Sequence, residues 1–220
     1  MGPGASGGEG RTAEFCADTT YRHPVALRKK VLYHDGEAGA QPRENVCHAR
    51  SRRRENAVYR AKKIDTPDRK LFYRTLERLL ESLLEGEPDA GANLANAAAL
   101  LGHQMERINW AGFYLFREGE LVLGPFWGKP ACSRIPLGKG VCGTAAAERR
   151  TVLVPDVGAF PGHIACDGAS ASEIVVPLLT EGILRGVLDL DSPEKGRFDE
   201  EDARGLEDFA ARLVRMVRWS

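Results

Sequence analysis

Hydrophobic positions along the chain alternate between a helical and a strand period. Leu71, Phe72, Leu76, Leu79, Leu80, Leu83 and Leu84, with Thr75 among them, recur every three to four residues. That spacing stacks side chains on one face of an α-helix. The preceding Asp65-Thr66-Pro67-Asp68 predicts its start, with Thr66 as N-cap and Pro67 at the first helical position, and Gly86 predicts its stop. An alanine- and leucine-rich segment from about Asp89 to Glu106 reads as a second helix. The period then shortens. Ile108 to Phe116 reads as a strand, Arg117-Glu118-Gly119 as a turn and Glu120 to Phe126 as the hairpin partner. A short helix around Val141 to Arg149, a strand at Thr151 to Val154 and a long loop from Pro155 to Ser172 follow. A second hairpin is expected from Glu173 to Leu179 and Ile183 to Asp191, and a closing helix from about Asp199 to Arg218, its start stapled by Phe198. Hairpins outnumber crossovers, which implies an α+β fold: a mainly antiparallel sheet with helices packed against it.

Length and charge divide this pattern in two. A chain of 220 residues, 43% of them hydrophobic, buries one good core with an appendage. Residues 1–63 hold 13 Lys and Arg against 7 Asp and Glu, whereas residues 64–220 hold 18 against 24. The first segment is rich in Gly and Arg, includes the run Arg50-Ser-Arg-Arg-Arg54 and has no sustained period. It is expected to be a disordered extension, because it cannot bury enough apolar area to offset its ordering entropy. Residues 64–220 are expected to form the single domain. No apolar stretch approaches the roughly 20 residues of a membrane helix, and no secretory segment opens the chain. A cytoplasmic protein is expected, with neither membrane nor nucleic acid as partner.

In a reducing compartment the five cysteines point to metal binding or redox catalysis rather than to a disulfide framework. Cys16 and Cys47 lie in the extension and receive no role. Cys132, Cys142 and Cys166 sit among Gly, Lys, His and Asp in turn-like segments, a setting for thiols able to ionise. Two other patterns carry less. Gly138-Lys-Gly-Val-Cys-Gly143 satisfies G-x-G-x-x-G, but no apolar parallel strand precedes it. Cys132, Cys142, His163 and Cys166 count as four zinc donors, but they lack the paired C-x-x-C knuckles of a structural site. Neither a dinucleotide nor a metal is therefore expected.

From about Leu71 onward the chain resembles the free methionine-(R)-sulfoxide reductases, a family built on the GAF fold. The resemblance rests on Ile108-Asn-Trp-Ala-Gly-Phe-Tyr-Leu115, Gly140-Val-Cys-Gly-Thr-Ala145, Gly162-His-Ile-Ala-Cys-Asp167, Ser172-Glu-Ile-Val175 and Gly186-Val-Leu-Asp189. Trp127 departs from the glutamine expected there, a change at the rim of a pocket. The resemblance implies that free methionine-(R)-sulfoxide is the substrate and thioredoxin the reductant. It also implies a homodimer and no cofactor. It casts Cys166 as the attacking residue and Cys132 as the resolving one, and leaves Cys142 as an alternative resolver or a packed thiol. The rival expectation is a GAF module that binds a small molecule without turning it over.

The acidic and aromatic residues fit that chemistry. Asp189 and Asp191 are two apart on one strand and so share a face, and Glu173 begins the neighbouring strand whose far end lies beside them. Three carboxylates on one patch repel, so at least one should keep a proton near neutrality and be able to donate it to a sulfoxide oxygen. Ionised members would hold the substrate ammonium. Trp110 and Tyr114, four apart on one strand face, are the expected apolar wall for the methyl group.

Overall fold

The computed structural model describes residues 62–164 and 168–219. The expectations for residues 1–61, with Cys16 and Cys47, and for Cys166 lie outside the described residues. Helix α1 spans Arg69–Leu84 and turns Tyr73, Leu76, Leu80 and Leu84 inward. It begins later than the Thr66 cap would place it, because Asp68 is the N-cap. The Asp68 carboxylate accepts from the Leu71 amide at 3.0 Å. The Thr66 hydroxyl is already engaged by the Asp68 amide at 3.2 Å, so Thr66 and Pro67 form a turn ahead of the helix. Helix α2, Ala90–Gln104, is capped in the same way by Asp89, which accepts from Ala92 at 2.7 Å.

The strands are β1 (Trp110–Arg117), β2 (Glu120–Gly128), β3 (Arg134–Pro136), β4 (Val152–Val154), β5 (Ser172–Thr180) and β6 (Ile183–Ser192). They form one sheet in the order β3-β2-β1-β6-β5-β4, antiparallel at every pairing. β3 was not foreseen: three residues are too few to show a period, and Pro136 is tolerated because it lies on an edge strand. Helix α3, Gly140–Glu148, follows β3, and helix α4, Glu200–Met216, closes the fold.

Alternation along the central strands gives the sheet two apolar faces. Ala111, Phe113, Ile174, Val176, Leu188 and Leu190 pack beneath α1, α2 and α4 in one cluster. Trp110, Tyr114, Val175 and Val187 point the other way, against Val141, Cys142 and Ala145 of α3. The second face carries the chemistry. At Gly186 a Cβ would lie 2.1 Å from the Tyr114 carbonyl oxygen, so only glycine lets β6 approach β1 this closely there.

Helices α1 and α4 are joined by a buried polar cluster. Asp202 accepts from the Tyr73 hydroxyl at 2.5 Å, from Arg69 at 2.6 Å and from Arg197 at 3.1 Å. The Tyr73 ring fits only because position 205 is glycine, where a Cβ would come within 2.2 Å of it. Asp199 and Asp202 also complete a capping box at the start of α4. Asp202→Ala should destabilise the fold by about 3 kcal/mol, since it leaves the Tyr73 hydroxyl and the Arg197 guanidinium without their acceptor. The test is urea unfolding; a loss below about 1 kcal/mol would mean that the cluster contributes no more than a surface ion pair.

Candidate active site

β1, β5 and β6 lie side by side in the sheet, and their register brings the acidic residues together. Glu173 pairs across the ladder with Asp191, Val175 with Asp189, and on the other flank Gly112 pairs with Asp189 and Trp110 with Asp191. Period-two alternation then places Glu173, Asp189 and Asp191 on the same face as Trp110 and Tyr114. All three acids and Tyr114 line a cavity of about 30 Å³ beneath α3. Glu173 and Asp189 are buried, each only 6% exposed, while Asp191 is half-buried.

Cys142 enters this cavity from the first turn of α3. Its Sγ lies 3.9 Å from Glu173 Oε1, and the thiol donates to the carboxylate. His163 Nε2 approaches Glu173 Oε2 at 3.6 Å. Ile164 rests against Gly140 across the mouth, where a Cβ on the glycine would come within 3.2 Å of it. The loop that carries His163 and Ser170 is tied down at its end, with the Ala171 amide donating to the Ser192 carbonyl at 2.7 Å.

The two aromatic residues take different places. Tyr114 lines the cavity, whereas Trp110 stacks behind it at 6.0 Å and on Phe126 at 5.4 Å. The Trp110 indole N–H donates to the Lys129 carbonyl at 3.1 Å, fixing the segment that leads to Cys132. Cys132 is half-buried and disulfide-bonded, whereas Cys142 is a free thiol. Trp127 is 40% exposed and lies over Gly102 of α2 rather than in the cavity wall. Lys139, Ile164 and Ser170 also line the cavity and were not singled out from the sequence. Lys139 lies inside the glycine-rich motif set aside as a dinucleotide signal, and Ile164 inside Gly-His-Ile-Ala-Cys-Asp, so the motifs held signals that residue type did not.

Burial governs the electrostatics. It pushes Glu173 and Asp189 well above the usual carboxylate range, and the charge of Asp191 adds to the effect on both. Burial also pushes the Cys142 thiol up, reinforced by the charges of Asp189 and Glu173. The Tyr114 hydroxyl moves the same way, through burial and then Asp189. Each of these shifts favours the protonated, neutral form of the group. Asp189 Oδ1 is buried and has no hydrogen-bond partner among the described residues, which leaves an unpaired acceptor in the cavity wall.

The sheet order and helices define a GAF domain, and the GAF domain family model matches residues 74–216. The chain is 51% identical over 146 residues to the free methionine-R-sulfoxide reductase of Escherichia coli, covering 66% of this chain and 88% of that one. It superposes with a TM-score of 0.68, at 47% identity, on the X-ray structure of free methionine-R-sulfoxide reductase from Neisseria meningitidis in complex with its substrate, covering 71% of this chain and 94% of that one. On the reduced form of fRMsr of Staphylococcus aureus the TM-score is 0.64 at 49% identity, with 66% and 95% covered. The chain therefore belongs to the GAF family and, within it, to the free methionine-R-sulfoxide reductases.

The raised carboxyls have a consequence for stability. A carboxyl whose folded pKa exceeds its unfolded value binds more protons in the folded state, so its contribution to stability is present below the unfolded pKa, near 4, and is lost as pH rises toward the folded value. Both Glu173 and Asp189 shift in that direction. The protein should thus lose stability through this pair as pH rises from about 4 toward the raised folded values, and Asp189→Asn should flatten that decline. Urea midpoints compared across this range test the expectation, and parallel pH profiles for the two proteins would contradict it.

Proposed function

We propose that the chain reduces free L-methionine-(R)-sulfoxide to L-methionine, with Cys166 attacking, Cys132 resolving and thioredoxin as the external dithiol. The observation that carries the reading is the pair of buried carboxyls, both pushed toward the protonated form, facing a cavity in which Asp189 Oδ1 has no hydrogen-bond partner among the described residues. Sulfoxide reduction needs an acid at the oxygen as negative charge develops on it, and carboxyls with raised pKa values supply one near neutrality.

The chemistry balances in three steps. The Cys166 thiolate attacks the sulfoxide sulfur while Glu173 or Asp189 protonates the oxygen. Collapse transfers the oxygen to the cysteine, releasing the thioether and leaving a sulfenic acid. The Cys132 thiol then displaces water from the sulfenic acid to form a disulfide, and thioredoxin reduces this by thiol–disulfide exchange while becoming oxidised itself. The disulfide-bonded state of Cys132 and the free state of Cys142 favour Cys132 as the resolving residue. Cys142 is a poor nucleophile, because burial keeps it in the thiol form, and its part is to donate to Glu173.

Tyr114, backed by Trp110, offers the methyl group an apolar wall, and Asp191 is the half-buried acid that meets the substrate ammonium. Separate sites for methyl and oxygen select the R epimer. The cavity of about 30 Å³ has room for one or two waters, so substrate displaces Ile164 from its rest on Gly140 as it binds. None of the described helices is long and apolar enough to cross a membrane. A thioredoxin-coupled cycle in the cytoplasm, protecting free methionine from oxidant damage, completes the proposal.

With thioredoxin as reductant, the R epimer of free methionine sulfoxide should be turned over and the S epimer left intact. Cys166→Ser should abolish methionine formation, and Cys132→Ser should permit one turnover but no steady state. Absence of turnover for both epimers in a folded, reduced protein would favour the ligand-binding GAF module instead. Separately, Glu173→Ala and Asp189→Ala should each lower kcat/KM by about 10²–10⁴-fold, the usual contribution of a positioned acid. Unchanged rates in both would remove the carboxyls from the mechanism.

A further inference from the structure

The donor set of the cavity suits a ligand other than a sulfoxide. Cys142 Sγ, a Glu173 carboxylate oxygen and an Asp189 carboxylate oxygen all lie within 4.8 Å of one another, and all three residues are buried. They come from α3, β5 and β6, so their approach is fixed by the fold rather than by the chance clustering of surface acids. We propose that this cavity is also a binding site for one soft divalent cation of the zinc class, held by Cys142, Glu173 and Asp189, with His163 or a water in the fourth position.

Distance, vacancy and size each support the assignment. A tetrahedral zinc about 2.3 Å from sulfur and about 2.0 Å from oxygen separates those two atoms by about 3.5 Å. Cys142 Sγ and Glu173 Oε1 stand 3.9 Å apart, so a movement of a few tenths of an ångström brings them into range. Among the described residues Asp189 Oδ1 is a buried oxygen without a hydrogen-bond partner in the cavity wall, the kind of atom a cation engages. His163 Nε2, at 3.6 Å from Glu173 Oε2, also lines the cavity, beside the three donors. The cavity of about 30 Å³ admits an ion and its water as it stands, whereas the amino acid must first displace Ile164.

A thiolate with two carboxylates is a borderline-soft set that suits zinc and cadmium better than magnesium or calcium. It differs from the set dismissed from the sequence, which combined Cys132, Cys142, His163 and Cys166. The consequence for turnover, and that alone, rests on the reductase reading: an ion at Asp189 fills the space that the sulfoxide oxygen needs and ties up the acid that protonates it. The site is thus an inhibitory one, through which a rise in free zinc silences the reductase reversibly.

The test is a titration of the full-length, thiol-reduced protein with cadmium chloride, followed by the ultraviolet sulfur-to-cadmium charge-transfer band, with zinc chloride as competitor. One equivalent should bind and develop the band, and zinc should displace it. Cys142→Ser should remove that one-equivalent phase, and Asp189→Asn and Glu173→Gln should each weaken it by on the order of tenfold or more. A band of unchanged amplitude in Cys142→Ser, or unchanged affinity in both carboxyl variants with native circular dichroism, would place the ion on other thiols and overturn the proposal. Absence of a one-equivalent phase in the parent protein would overturn it too. Because no sulfoxide or thioredoxin is present, failure of the reductase reading leaves this outcome unaffected, and failure here leaves the reductase reading intact.

Discussion

Glu173 and Asp189 are buried on the covered face of a sheet with a thiol and an imidazole beside them. The same chain shows what an acid in such a place ordinarily needs. Asp202, equally buried, is surrounded by Arg69, Arg197 and the Tyr73 hydroxyl. Desolvating a carboxylate costs several kcal/mol unless charges or donors compensate. At Asp202 they do, and the result joins two helices. At Glu173 and Asp189 no arginine among the described residues supplies a cation, burial pushes both toward the protonated form, and the result is a cavity walled by acids. One chain thus uses buried acids in two ways, distinguished by the partners the fold supplies.

The rest of the site follows from keeping those protons in place. The face bearing the acids is covered by α3, whose first turn brings Cys142 over Glu173, and by the loop of His163 and Ile164. A wetter cover would let the carboxyls ionise. The opposite face, filled by Phe113, Leu188 and Leu190 against α1, α2 and α4, supplies the rigidity that an expensive pocket needs. Trp110 couples two parts of the site by backing Tyr114 with its ring and holding the Lys129 carbonyl with its N–H.

Most of the architecture was legible because it rests on periods. Helical spacing in α1 and the two hairpins flanking β1 and β6 emerged at nearly their observed bounds. The shared face of Asp189 and Asp191 followed from a period of two, and the register places Glu173 opposite Asp191 as the hairpin geometry requires. What escaped were features decided by tertiary contacts. β3 is too short to show a pattern, and the choice of Asp68 over Thr66 as N-cap depends on which oxygen reaches the Leu71 amide. The different placements of Trp110 and Tyr114, one behind the other, depend on Phe126 from the neighbouring strand. Lys139 and Ile164 carry no chemical signature by type, and proximity alone makes them part of the wall.

At the middle of the sheet, β1 pairs with β6. All the intervening strands and α3 are synthesised between these neighbours. During translation β1 and β2 emerge as a hairpin with one long flank of unpaired backbone, and that flank stays open until β6 leaves the ribosome. An exposed strand edge is a template for pairing with other chains, and closing so long a loop is slow. The nascent chain is therefore most prone to aggregation while Cys132, Cys142 and Glu173 are already made but unprotected, and the pocket comes into being only when β6 docks and brings Asp189 and Asp191 with it.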